Sequence, residues 1–519
     1  MQSQLTVARL RDRLPEILTA LLAGSAGVAG SYAAAGFTPG FVVAPIEGFL
    51  ARTMPGVVVT FAIQTLGSLG QQLSLLTAIA LAVVAFSSLV GIGIVVGARL
   101  DSPWVAALLA GALPWGVTTL LTGDPVVALG AGLPPTLVVA VEGIFRSVRG
   151  ADDADVSPGR RRVVESAVAL LGIGGLATAF GSRQQPSAGQ SLDDPSTPTP
   201  ADEAGSEETD QQPTETPSER ERLLAEADEK SLDLPGMDPL VSEKFYNVDI
   251  NAVDPEVNAD EWSLTVTGAV EQEVTVDYQE LRSMASEDRF NTLRCVGEKL
   301  NGHKMDNALW TGVPIQQFVD RAGPKGSCEC VMFRAADDYF EEFPLAALED
   351  GFLAYGMNGD VLPKGHGYPV RALVPGHWGE INVKWITEIE ILDKEAEGYW
   401  EKRGWHGTGP VNTVAKIHSI QHLDDGRIRV GGHTYAGTRG IELVEVSTDG
   451  GETWAEATLS EPLPGDDVWR QWMYTYDPPD GEHEVVARAT DGTGTLQPKE
   501  EANAFPSGPS GWVSTTIKP

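Results

Sequence analysis

Between residues 16 and 145 the chain is a succession of apolar runs with almost no charge. The stretches 17–37, 73–98, 104–121 and 125–145 each approach or exceed the ~20 apolar residues that cross a bilayer as a helix. Residues 49–68 form a weaker fifth candidate, interrupted by Arg52 and Pro55, and a sixth run, 163–181, follows Arg160, Arg161 and Arg162. Glycine and alanine are frequent within these runs, which suits close helix packing in lipid. The pattern predicts an all-α transmembrane region over 1–182, with about five or six spans. Residues 183–235 lose all apolar periodicity and are rich in Pro, Ser, Thr and acid, which predicts a disordered linker.

From residue 236 the period shortens. Residues 261–284 alternate apolar and polar, then switch to the helix-like "DYQELRSM". "ALWTGVPIQQFVDRAG" (308–323) predicts a turn and then a short helix closed by Gly323. "CVMFRAADDYFEEFPL" predicts a strand leaving into a loop, and 368–392 a pair of apolar strands around a Pro/Gly turn. After about residue 407 short strands alternate with turns, with "TDGG" (448–451) as a hairpin turn. These readings give an α+β domain over 236–406 and an all-β domain over 407–519.

Charge narrows the function. Seventy-two acidic against 37 basic residues give a net charge of −35, which excludes nucleic acid as a partner, since a phosphate binder needs a basic face. An acidic surface of this density stays soluble at high salt and predicts a salt-loving source. Arg9, Arg11 and Arg13 precede the first apolar run, and Arg146, Arg149 and Arg160 to Arg162 precede the last. Positive-inside logic places both loops in the cytoplasm. The expectation is therefore a multi-pass protein of the cell membrane with everything after residue 182 on the extracellular side. The string "GRRRVVESAVALLGIGG" also looks like a twin-arginine export signal.

The three cysteines exclude a disulfide framework. Cys328 and Cys330, in "CEC", are expected to be surface or strand thiols without a metal. Cys295 stands alone in the polar stretch "NTLRCVGEKLNG" (291–302), where core filler, nucleophile and metal ligand all remain open on residue type.

Several stretches together carry a family resemblance: "FYNVDI" (245–250), "TLRCVGEKLNG" (292–302), "ALWTGVPI", "LAYGMNGDVLPKGHGYPVRALVPGHWGEINVKWITEIEI" and "EGYWEKRGWH" (397–406). In this order they resemble the sulfite oxidase family of molybdopterin enzymes. The resemblance implies a molybdenum–molybdopterin cofactor with Cys295 as the thiolate ligand of the metal. It implies pterin contacts at Tyr246, Asn247, His366 and Arg371, and a phosphate-wrapping segment at Asn382, Val383 and Lys384. Tyr355 matches a tyrosine near the metal oxo groups, and Trp310 an aromatic wall of the pocket. Residues 407–519 resemble the family's immunoglobulin-like dimerisation domain, which implies a β-sandwich and a homodimer. Trp454, Trp469 and Trp472 are expected in its core or interface.

The resemblance departs where the substrate anion would sit. Asn247 stands where an arginine is usual, and of Lys299 and Leu300 only Lys299 keeps a basic charge. The expected activity is oxygen-atom transfer to or from a small sulfur oxyanion, as in a sulfite oxidase. The alternatives are a sulfoxide or other oxyanion reductase on the same fold, and a non-enzymatic membrane-anchored binding module. No haem is predicted, because the apolar region has no histidine and no "HPGG"-like segment occurs, so electrons are expected to pass to or from an external carrier.

Overall fold

The computed structural model describes residues 2–66, 68–149 and 217–519. The apolar run 163–181, the export-like string and residues 183–216 of the expected linker lie outside the described residues. The chain divides into two compact units. Among the described residues, one comprises 2–54, 66, 68–149 and 249–256, and the other 55–65, 217–248 and 257–519.

The first unit is helical. In chain order the N-terminal helices are α1 (Gln2–Ala35), α2 (Val43–Thr53), α3 (Gly56–Phe61), α4 (Ser68–Arg99), α5 (Pro103–Thr122) and α6 (Leu129–Arg149), with a π turn at Ala62–Leu66. Three stretches among the described residues are long and apolar enough to cross a membrane: Arg13–Ala35, Gln72–Arg99 and Pro103–Thr122. A shorter apolar stretch follows at Leu129–Ile144. Residues 49–68 do not form one continuous helix. α2 ends at Thr53, and Pro55, with no amide proton to donate, separates it from α3. Helix α1 packs on α4 and α6, and α5 packs on the same two. Small residues permit this closeness: a Cβ at Gly30 would lie 2.2 Å from the Gly130 carbonyl, and one at Gly97 would lie 2.4 Å from the Ala106 Cβ.

The second unit holds α3 and, after it in the chain, α7 (Glu219–Lys230), inside the stretch expected to be a disordered linker. The expectation fails here because a capping box starts the helix. Ser218 Oγ accepts from the Glu221 amide at 3.2 Å, and the Ser218 amide donates to Glu221 Oε2 at 2.7 Å. Leu223, Leu224 and Ala227 then share a face that packs on the core.

Strands β1 (Ser263–Gly268), β2 (Val274–Asp277), β3 (Glu287–Arg294), β4 (Met305–Pro314), β5 (Cys330–Ala335), β6 (Phe340–Pro344), β7 (Phe352–Met357), β8 (Asp360–Val361), β9 (Arg371–Leu373) and β10 (Ile386–Leu392) form two sheets. Their orders are β2-β1-β10-β5-β6 and β3-β4-β7-β8, with β9 on β7. Helices α8 (Tyr278–Ser283) and α9 (Gln316–Ala322) sit where the period changes, and Gly323 closes α9 at φ 68°. Residues 308–314 are the second half of β4 rather than a turn, because they pair on both sides, with β3 and β7. The two apolar strands of 368–392 do not pair with each other: β9 joins β7 and β10 joins β1 and β5. β5 turns back into β6 as a hairpin rather than leaving into a loop.

Cys328 and Cys330 are joined as a disulfide, not free as expected. Glu329 between them takes φ 52°, which brings the flanking side chains to the same side. Cys295 is the free cysteine.

The remaining strands are β11 (Val414–Ala415), β12 (Ser419–His422), β13 (Ile428–Tyr435), β14 (Ile441–Ser447), β15 (Ala455–Glu456), β16 (Thr458–Leu459), β17 (Arg470–Tyr476), β18 (His483–Asp491) and β19 (Val513–Ile517). They form two antiparallel sheets, β11-β13-β17-β16 with β12 on β13, and β15-β14-β18-β19. Between β14 and β15, Gly450 and Gly451 take positive φ and the Asp449 carboxylate accepts from the Glu452 and Thr453 amides, as a hairpin turn requires. Trp469 and Trp472 are fully buried, while Trp454 is half-buried and meets Trp512 edge-on at 5.0 Å.

Candidate functional site

Strand β3 ends at Arg294, and the next residue is Cys295. The Cys295 amide donates to the Lys304 carbonyl at 2.9 Å, so 295–304 is a closed loop off the β3–β4 pair. A buried ionic group holds the loop from beneath. Glu298 Oε1 accepts from Arg294 Nε at 2.7 Å, and its Oε2 accepts from Lys416 Nζ at 2.8 Å and from the Lys304 amide at 3.2 Å. Arg294 also donates to the Asn412 carbonyl at 2.7 Å and lies over the Trp378 ring. The loop is thereby tied to the β domain. The sequence reading did not single out Glu298 or Lys416. Lys416 lies 118 residues from its partner, and only folding brings them together.

The Cys295 thiol is half-buried. Burial pushes its pKa up; the Lys304 charge opposes this, and the Glu298 and Glu380 charges add to it. Such a thiol stays protonated alone and gives up its proton to a soft metal. A Cβ at Gly297 would lie 3.9 Å from its Sγ and 3.7 Å from Trp405, so the thiol and that indole flank one spot.

A second wall comes from the "HGYPVR" and "GEINVKW" segments. Gly367 takes φ 114°, and a Cβ there would lie 3.0 Å from Arg371 and 3.1 Å from Lys384, so only glycine lets the three converge. Arg371 donates to the carbonyls of His366 (3.2 Å) and Asn382 (3.0 Å), and its guanidinium lies over the Trp310 ring. Lys384 Nζ donates to Asn247 Oδ1 and to the Gly365 carbonyl. His366 is pushed down to about 3 by burial, then by the charges of Arg371 and Lys384, so it is a neutral imidazole. Tyr246 is fixed by its amide, which donates to Asp306 Oδ2 at 2.8 Å. A Cβ at Gly379 would lie 2.9 Å from the Tyr246 hydroxyl and 3.2 Å from the Arg294 carbonyl, which brings this wall against the Cys295 loop.

The expected residues therefore fall into groups. Tyr246, Asn247, His366, Arg371 and Lys384 converge, with Phe245 stacked on Tyr246 and edge-on to both Trp310 and His366. Trp310 is fully buried and its Nε1 donates to the Asn291 carbonyl, so it supports Arg371 from behind rather than facing an open pocket. Asn382 spends its side chain on the Val374 amide and the Trp378 carbonyl, and Val383 is buried. These two shape the segment through the backbone. Tyr355 is buried on β7 under the Arg282 guanidinium, 5.1 Å from its ring. Lys299 is exposed at the tip of the loop.

Residues 251–400 match the oxidoreductase molybdopterin-binding domain, and residues 410–505 match the Mo-co oxidoreductase dimerisation domain. The chain therefore carries an oxidoreductase molybdopterin-binding domain followed by a Mo-co dimerisation domain. Sulfite oxidase of Arabidopsis thaliana is 26% identical over 302 residues, covering 46% of this chain and 77% of that protein. Mitochondrial sulfite oxidase of Homo sapiens is 28% identical over 298 residues, covering 47% and 54%. NADH nitrate reductase of Solanum lycopersicum is 24% identical over 316 residues, covering 47% and 35%. The chain thus spans about half the length of the human protein. Among solved structures, the sulfane dehydrogenase SoxCD from Paracoccus pantotrophus is 20% identical, with a TM-score of 0.43 over 57% of this chain and 87% of that one.

The site of this oxidoreductase has the polar inventory a pterin with a phosphate needs. His366 Nδ1, Arg294 Nη2 and Trp405 Nε1 are buried without a hydrogen-bond partner among the described residues. Buried polar atoms are normally satisfied. Donors and acceptors left over within one region fit a ligand that carries both. Arg371 and Lys384 supply the positive charge that a phosphate requires. Cys295 supplies the soft thiolate.

Proposed function

We propose that this protein is a membrane-anchored molybdopterin oxidoreductase that transfers an oxygen atom to or from a small sulfur oxyanion, as a sulfite oxidase does. One observation carries the reading. The free cysteine sits on a braced loop against a wall of Tyr246, His366, Arg371 and Lys384, beside buried donors that lack partners. In this reading Cys295 ligates molybdenum, Tyr246, Asn247, His366 and Arg371 hold the pterin, and Asn382 to Lys384 wrap its phosphate. The cofactor supplies the two-electron oxygen-transfer chemistry, and the chain binds it, orients it and keeps water from its inner face. Lys299 and Tyr355 are the residues assigned to the substrate. The three long apolar helices support anchoring in the cell membrane, with the catalytic region outside. The dimerisation-domain match supports a homodimer. Electrons pass to or from an external carrier.

A reductive direction is the second reading. Asn247 is neutral and is engaged by Lys384, and Leu300 is apolar, so the wall offers a dianion less paired charge. The test is molybdenum and pterin content of the purified full chain, followed by sulfite with an oxidised dye and methionine sulfoxide with a reduced dye. We expect molybdenum near one per chain in the wild type, and loss of turnover in Cys295→Ser. Protein without molybdenum from a competent host, or Cys295→Ser with full activity, would overturn the assignment.

A further inference from the structure

The apolar stretch 49–68, a candidate span by sequence, does not belong wholly to the helical unit. Pro55–Thr65 groups with the second unit, which holds the Cys295 loop. Pro55 breaks the chain from α2, and the six-residue α3 and the π turn Ala62–Leu66 follow. This strap starts against the 3-10 turn Glu401–Arg403. A Cβ at Gly56 would lie 2.9 Å from the Arg403 carbonyl oxygen, so glycine lets the two backbones meet. α3 itself buries none of its residues.

Ile63 lies on the π turn, a rare element that recurs at functional sites. It is half-buried and packs against the apolar cluster that holds Val296 and Trp405, as Leu300 does. A Cβ at Gly297 would lie 3.1 Å from the Ile63 Cγ2 methyl, 3.7 Å from the Trp405 ring and 3.9 Å from Cys295 Sγ. The methyl, the indole and the thiol therefore surround one gap. Carbons in contact normally stand about 3.5–4.0 Å apart, so even a methyl group placed there would crowd Ile63. The polar wall of Arg371 and Lys384 lies elsewhere in the site and discriminates by charge. Ile63, Val296, Leu300 and Trp405 carry no charge, so this side discriminates by size.

We propose that Ile63 is a specificity-determining residue: its Cγ2 methyl closes the apolar side of the Cys295 site and admits only compact groups beside the thiol. The proposal rests on the molybdopterin reading above and holds for either direction of turnover. Where paired charge for a dianion is thin, a steric clash against larger competitors keeps the substrate small. A compact sulfur oxyanion fits beside Ile63, and a sulfur compound with an aryl arm meets its methyl. The selecting side chain comes from more than 200 residues before the Cys295 loop's other apolar neighbour, Trp405, and reaches the site only because the strap leaves the helical unit.

The test uses the detergent-solubilised full chain and its Ile63→Ala and Ile63→Val variants. Valine keeps a methyl at the Cγ2 position, and alanine removes it. On cofactor-free protein without reductant, Cys295 is modified with methyl or benzyl methanethiosulfonate, two reagents that differ in the arm they carry. Each rate is divided by that of the same chain unfolded, and the methyl-to-benzyl ratio then cancels the thiol's raised pKa. Folded wild type and Ile63→Val should favour the methyl reagent. In Ile63→Ala that preference should fall about tenfold, as a methylene-sized change in an apolar pocket gives. An equal ratio in wild type and Ile63→Ala overturns the proposal, and so does an equal fall in Ile63→Val. A folded thiol that neither reagent reaches in wild type or in Ile63→Ala also overturns it, because another group then closes the site. Molybdenum-loaded wild type should resist both reagents. Purified wild type without molybdenum, or one whose thiol still reacts with molybdenum bound, defeats the assignment of Cys295 as ligand and leaves the steric role of Ile63 to the ratio.

Discussion

Replacing Glu298 with Gln keeps the shape of the Cys295 loop and removes the one anion shared by Arg294 and Lys416. Both cations have fully buried side chains, and both contacts are at 2.7–2.8 Å. Removing one partner of a buried pair typically costs about 3–5 kcal/mol. The two cations share that loss unequally. Lys416 is pushed from 10.5 down to about 8 by burial, against the pull of Glu298. At about 1.36 kcal/mol per pKa unit, its charged form already costs about 3.4 kcal/mol, and releasing the proton at pH 7 caps the cost near 4.8. Lys416 can therefore add only about 1.4 kcal/mol before it neutralises. Arg294 cannot neutralise and carries the rest. The lysine's sign is fixed: between pH 8 and 10.5 the unfolded chain binds its proton more tightly, so wild-type stability rises with pH across that window. The assay is thermal and guanidinium unfolding of the full chain followed by tryptophan fluorescence. At pH 7 we expect a loss of about 3–5 kcal/mol, or about 6–20 °C in Tm at roughly 2–4 °C per kcal/mol. At pH 9.5 the loss should be about 1 kcal/mol smaller, because Lys416 is then neutral in both proteins. A loss under about 1 kcal/mol at pH 7 would refute the buried-charge argument.

Three further outcomes follow from other contacts. Asp467 is buried, accepts from Asn291 and Tyr435, and is pushed up to about 6 by burial. The folded chain therefore holds this proton more tightly than the unfolded one, and its contribution falls as pH rises from about 4 to about 6. The stabilities of Asp467→Asn and wild type from guanidinium unfolding should converge or cross by about 2 kcal/mol between pH 4.5 and 6.5, and a constant difference would count against the burial. Ser218→Ala removes the cap of α7 and should cost about 1 kcal/mol, read as faster amide exchange over 219–230. Unfolded without reductant, cofactor-free protein should titrate one thiol, Cys295, and three after reduction, because Cys328 and Cys330 are joined.

What could be read along the chain is what local pattern controls. Long uncharged runs must be helices in lipid, because no other structure satisfies their backbone there. Three such helices stand where 17–37, 73–98 and 104–121 predicted them. The shift to alternating residues after 236 reported sheets, and the motifs around Cys295, His366 and Arg371 carried the resemblance to a molybdopterin domain. Even the capping box of α7 was written as Ser218 and Glu221, yet surrounding Pro, Ser and acid hid it. Tertiary structure alone decided the rest, because it depends on residues far apart in the chain. It sent β9 and β10 to different sheets and put Trp310 behind Arg371 instead of at a pocket wall. It joined Glu298 to Lys416 across 118 residues and set Glu341 beside Tyr339 and Trp400. Sequence shows which residue types are present. Burial, which only the folded chain defines, decides whether a carboxyl there is a charge, an acid or half of an ion pair.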